Sequence, residues 1–152
     1  MPRILWLDTL AKALGKKAVE SYYHTPGPLL HAFFQGLKNG EWVAADCGKH
    51  FLIPPRSPCP NGEKPRGLLR FKENEVEWVV KTAARVVEGQ SALVIALMVP
   101  RDNRFLGGLF HRVCGDVGDE FIMGFKAEPR FRPAVDRRGG LDDIECFDVE
   151  GT

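Results

Sequence analysis

The sequence predicts one α+β domain, a mostly antiparallel sheet with one or two helices on one face. Three observations predict it. Apolar residues recur at helical spacing near the start, at Leu10, Ala11, Leu14, Ala18, Val19 and Tyr22. Most of the remainder consists of short runs rich in β-branched and aromatic residues, separated by Gly, Pro and Asn turns. "SALVIALMVP" (91–100) is continuously apolar, as a strand buried on both faces must be. The 152 residues suffice for one domain and for a core that needs no staples.

The elements follow in chain order. Asp8 or Thr9 can accept from the open amides of a first turn, which starts a helix running to Tyr23. Ile4–Leu7 is an extra turn of that helix or a short strand. "HTPGPLL" ends the helix, because Pro26, Gly27 and Pro28 cannot continue it. Leu29–Leu37 and Glu41–Asp46 read as two strands joined at Asn39-Gly40, a strong hairpin signal. A helix competes over 29–37, but the run is short and carries Gly36. "HFLI" is a third strand. Residues 55–66 are Pro-rich without apolar period and form a long exposed loop. Leu69 and Phe71, then Val76, Trp78 and Val80, alternate around "KENE" and predict a second hairpin. A helix over 73–87 is disfavoured by its valines. Residues 91–100 take the centre of the sheet. A helical turn is expected near 106–113, a strand at 120–125, and an edge strand in "IECFDVE". Residues 127–142 form an Arg-rich irregular segment.

Composition narrows the function. Apolar residues are 44% and charged residues 27%, which excludes wholesale disorder. A net charge of +1 is too small for a protein that wraps long nucleic acid, so any such contact is local. The longest apolar run falls far short of the ~20 residues that cross a bilayer. The first residues lack the pattern of a signal peptide, so the expected location is the cytoplasm and the expected state of the cysteines is reduced. No membrane contact is expected. One helix covers "SALVIALMV" poorly, so a homodimer through the sheet is expected to complete its cover.

Complete catalytic motifs are missing. Gly15-Lys16-Lys17-Ala18 lacks the second glycine and the hydroxyl of a phosphate loop, and no cofactor is expected. A small hydrolase or metal-dependent nuclease would draw on His111, Cys114, Asp116 and Asp119, which lie together in "HRVCGDVGDE". Glu120, or the set Asp142, Asp143 and Glu145, could add carboxylates for a divalent cation. Cys47, His50 and Cys59 form a weaker alternative, a metal site with zinc-type donors.

The stronger signal is arginine. Arg130, Arg132, Arg137 and Arg138 occupy nine residues. Guanidinium groups pair bidentately with phosphate or carboxylate, and "DRRGG" can turn sharply and present amides as well. These residues mark a surface for nucleic acid, a ribonucleoprotein subunit or an acidic protein. The opposing reading is neutralisation by Glu128, Asp136, Asp142 and Asp143, which are interleaved with them.

The order of "KNGEW", "GLLRFKENEVEWV" and "RRGGLDDIECFDVEG" resembles the small accessory proteins encoded beside type III-D CRISPR effector genes. The resemblance implies a non-catalytic subunit that docks onto a ribonucleoprotein. It transfers no functional residue.

Overall fold

The structure is a computed structural model and describes residues 28–88, 91–115 and 122–150. The helix expected over 8–23 lies outside them. The α+β class holds: two mainly antiparallel sheets and one α-helix among the described residues. No helix among those residues is long and apolar enough to cross a membrane.

Helix α1 spans Pro28–Lys38, where a strand was expected. Leu30, Phe33, Phe34 and Leu37 recur at three and four, and Phe33 and Leu37 are wholly buried. Pro28 suits a first turn, whose amides have no intrahelical partner. Gly36, the residue weighed against a helix, is there for packing. A Cβ on it would stand 2.5 Å from Val43 Cγ2, so its absence lets the helix lie close on the first strand. Asn39-Gly40 is likewise not a hairpin turn. The Asn39 amide donates to the Gly36 carbonyl (2.9 Å) and the Gly40 amide to the Leu37 carbonyl (3.1 Å). Gly40 has φ +71°, so the pair is a left-handed stop that closes α1.

Strands β1 (Glu41–Asp46), β2 (Phe51–Ile53), β3 (Leu68–Lys72) and β6 (Phe105–Gly107) form the first sheet, in the order β3-β1-β2-β6. α1 covers one face. On the other, Phe51, Phe71 and Phe105 meet with centroids 5.2–6.0 Å apart. Residues 54–67, between β2 and β3, contain no strand or helix, as their prolines require.

Strands β4 (Trp78–Glu88), β5 (Ser91–Pro100), β7 (Leu109–Arg112), β8 (Lys126–Phe131) and β9 (Ile144–Glu150) form the second sheet, in the order β7-β5-β4-β8-β9. The hairpin expected around "KENE" does not form. β3 and β4 belong to different sheets, and a 3-10 turn at Glu73–Glu75 carries the chain between them. Strands also replace the helical turn expected near 106–113, and Ile122–Phe125 is a turn ahead of β8. The first part of the 127–142 segment, read as irregular, belongs to β8.

The second sheet closes on itself. Val113 bridges Phe147 in parallel, and the Cys114 amide donates to the Phe147 carbonyl at 2.8 Å. The strands therefore run around a barrel as β4-β5-β7-β9-β8 and back to β4. This is the Greek-key connectivity of an OB-fold, with β4, β5, β7, β8 and β9 as its first to fifth strands. Closure also changes the meaning of "SALVIALMVP". Val94, Ile95 and Ala96 are buried in succession, so both faces of β5 are covered there, and β5 is paired on both edges, but no strand is central in a barrel.

The two sheets share one core. Trp42 of β1 meets Trp78 of β4 at 4.9 Å and Phe131 of β8 at 5.8 Å between ring centroids. The Trp42 indole N–H donates to the Glu73 carbonyl at 3.2 Å, fixing the turn where the chain passes from sheet to barrel.

Candidate nucleic-acid interface

The Arg-rich segment is the connection between β8 and β9, the fourth and fifth strands of the barrel. Its shape comes from one buried carboxylate. Asp143 is 1% exposed. Its Oδ1 accepts the Arg138 amide at 2.8 Å, and its Oδ2 accepts the amides of Gly139 (2.8 Å) and Gly140 (3.3 Å). Gly139 has φ +85°, which places these three amides around one carboxylate. The amides that "DRRGG" was expected to present to a ligand are therefore already used. Asp143 does not join Asp142 and Glu145 in a cation site. Asp143→Ala would leave those donors without their acceptor. We expect a loss of about 2 kcal/mol, read as a lower urea midpoint with faster hydrogen exchange at amides 138–140.

The four guanidinium groups fare differently. Arg130 is held by Asp148, at 2.6 Å and 3.2 Å, across the β8–β9 pair. Arg137 lies over the Phe131 ring at 5.1 Å and donates from Nε to the Arg132 carbonyl. It thereby helps seat the connection against the sheet. Arg132 is exposed and donates from Nε to the Asp142 carbonyl at 2.8 Å, while its terminal amines meet no carboxylate among the described residues. The exposed Arg138 side chain meets none either. The interleaved acids expected to neutralise this group do so only in part: Glu128 pairs with Lys126, and Asp143 accepts main-chain amides. Two arginines are built into the fold and two face solvent.

The alternative hydrolase site comes apart. His111 is wholly buried in the barrel, its ring 5.5 Å from Phe147, with Nε2 3.3 Å from the Leu141 carbonyl and Nδ1 3.4 Å from the Arg112 carbonyl. Burial pushes its pKa down to about 4 despite those carbonyls, which favour the cation. Cys114 is bonded to Cys146 and has no thiolate to attack with. Asp116, Asp119 and Glu120 lie outside the described residues. The expectation of reduced cysteines is also corrected, because Cys47 is bonded to Cys59. That bond takes both sulfurs of the alternative metal site and leaves His50 exposed beside them. Among the described residues no group of three or more His, Cys, Asp and Glu could hold a metal ion.

A groove of about 820 Å³ lies between the Glu73–Glu75 turn and β8. Glu73, Glu75, Glu77 and Glu128 outnumber Lys72 and Lys126 along it. Lys126 spans Glu77 (3.6 Å) and Glu128 (3.3 Å). The excess of carboxylates makes the groove unfavourable for an anion. Sequence reasoning missed the groove because its walls come from three separate elements.

No family model matches the chain, and no curated protein matches it. Among solved structures it is similar to a protein of unknown function from the DUF35 family of Sulfolobus solfataricus, with 20% identity and a TM-score of 0.63. The alignment covers 97% of this chain and 98% of that one. At this identity the likeness concerns the fold alone.

Proposed function

We propose that this protein is a non-catalytic binding module that contacts single-stranded nucleic acid through the β8–β9 connection, as an accessory subunit of a ribonucleoprotein such as a CRISPR-type defence complex. The observation that carries the proposal is the position of the arginines. In OB-folds, the loop between the fourth and fifth strands flanks the face that takes oligonucleotides. Here that loop bears Arg132 and Arg138 with their terminal amines turned to solvent, and Arg137 stacked behind them. The burial of His111 and the bonding of Cys114 favour binding over hydrolysis.

The test is titration of a labelled single-stranded RNA of about 16 nucleotides, the upper end of an OB-fold site. Affinity is expected to fall as salt rises, with a log–log slope of about −0.7 per phosphate neutralised. Arg132→Gln with Arg138→Gln should make that slope shallower by about 1.4. A slope identical in the double variant would reject the connection as the contact.

A further inference from the structure

The net charge of +1 conceals an uneven distribution. Residues 47–70 hold Lys49, Arg56, Lys64, Arg66 and Arg70 against one carboxylate, Glu63, and so carry +4; since the whole chain is +1, the rest carries −3. An asymmetry of this kind marks a surface made for an anion more often than a neutral total suggests.

The fold gathers these cations at one tip of the first sheet. The Cys47–Cys59 bond, with Cα atoms 5.8 Å apart, ties the β1–β2 turn to the Pro-rich loop. The Cys47 amide donates to the His50 carbonyl, and the Cys59 amide to the Glu63 carbonyl, so each cysteine heads a tight turn. The Asp46 amide donates to the Gly67 carbonyl, and the Arg66 amide to the Asp46 carbonyl. These bonds bring the entry to β3 alongside the same tip. Gly48, at φ +88°, lies under the Arg66 guanidinium: a Cβ there would be 3.3 Å from Arg66 Nη2. Arg70 is on the outward side of β3 with Leu68 and Lys72.

All five cations are exposed, and none meets a carboxylate among the described residues. By contrast, Arg101, Arg104, Lys126 and Arg130 each have an acidic partner. Like charges gathered on a frame set by a disulfide and main-chain hydrogen bonds repel one another, and a polyanion relieves that repulsion. Three of the five are arginines, whose planar groups pair bidentately with phosphate and stack on bases. This favours a nucleic-acid strand over a lipid surface, for which the tip offers no amphipathic helix or exposed aromatic residue.

We infer that the disulfide-held tip, with Lys49, Arg56, Lys64, Arg66 and Arg70, is a second phosphate-backbone contact on the same nucleic-acid strand. The inference rests on the proposed nucleic-acid reading and extends it from one loop to two separated surfaces.

The experiment compares wild-type protein, the quadruple variant Arg56→Gln/Lys64→Gln/Arg66→Gln/Arg70→Gln, and Arg132→Gln/Arg138→Gln, using labelled single-stranded RNA across a salt series. The quadruple variant is expected to lose about three from the salt slope, with a fall of at least about tenfold in affinity at low salt. Ultraviolet crosslinking of RNA to wild-type protein should label peptides within 47–72, which keeps the test valid even if the variant folds poorly. A quadruple variant with unchanged slope and no crosslinks in 47–72 overturns the second contact, while loss in Arg132→Gln/Arg138→Gln alone leaves the first standing. Loss in the quadruple variant alone upholds the tip and rejects the β8–β9 connection. Wild-type protein that ignores RNA but binds phosphatidylserine vesicles overturns both.

Discussion

Reducing the two disulfides together should lower the stability of the fold by about 6.5 kcal/mol, taken from the chain-entropy cost of opening the loops they close. Cys47–Cys59 spans 12 residues and Cys114–Cys146 spans 32. On that basis the first contributes about 3 kcal/mol and the second nearly 4. Domains of this size are stable by only about 5–15 kcal/mol, so reduction removes a large share of what holds the native state. The two bonds also differ in what they hold. Cys114–Cys146 joins the chain just after β7 to β9, beside the Val113–Phe147 bridge that closes the barrel. Cys47–Cys59 fixes two surface turns, so its loss should loosen the tip and leave the barrel closed. Urea unfolding of Cys47→Ala/Cys59→Ala and Cys114→Ala/Cys146→Ala separates the two contributions. The larger shift is expected in the second. Equal urea midpoints with and without reductant, in protein whose four cysteines are shown to be oxidised beforehand, would refute the estimate.

Acid should destabilise the protein through His111 between about pH 6.5 and about pH 4. The imidazole is wholly enclosed, and its folded pKa is depressed from 6.5 to about 4 because burial disfavours the cation. Above pH 6.5 the ring is neutral in both folded and unfolded chains, and the group adds no pH dependence. As pH falls below 6.5 the unfolded chain takes up a proton that the folded chain refuses, so stability drops until the folded pKa is reached. The difference corresponds to about 3 kcal/mol across that window. Carboxylates titrate in the lower part of the range, so the comparison is with His111→Leu. That variant should be less stable at pH 7, since the neutral ring's single N–H donates to one of the two carbonyls beside it, of Leu141 or Arg112, and that carbonyl loses its donor, yet show a flatter profile from pH 6.5 to 4.5. A profile parallel to the wild type would mean that His111 does not titrate as described.

Both expectations concern residues whose role changed between sequence and structure. Cys114 and His111 lie three apart and looked like a nucleophile with its base. Spacing along the chain says nothing about which strand closes on which. Closure of β7 against β9 brought Cys146 to Cys114 from 32 residues away and sealed the imidazole inside the barrel. The Arg-rich segment kept more of its expected character. Arg130 and Arg132 are exposed with Phe131 half-buried between them, as alternation in extended chain requires. What alternation could not show was that Asp148 lies across from Arg130, or that Asp143 would gather the amides of "DRRGG".

By itself the sequence determined the local matters: the α+β class, the strands at 41–46, 51–53, 91–100 and 144–150, the Pro-rich loop, and an arginine-bearing segment at the surface. Each follows from near-neighbour chemistry, because period, β-branching and proline act within a few residues. Tertiary structure decided the rest. The spacing of Leu30, Phe33, Phe34 and Leu37 already favoured a helix at 28–38, but the reason for Gly36 within it, its fit against Val43, emerged only in the fold, and whether "KENE" made a hairpin turned on β3 and β4 entering different sheets. The partners of the cysteines and of Asp143 were settled the same way, because the groups that select each outcome come from distant parts of the chain and meet only when the core closes.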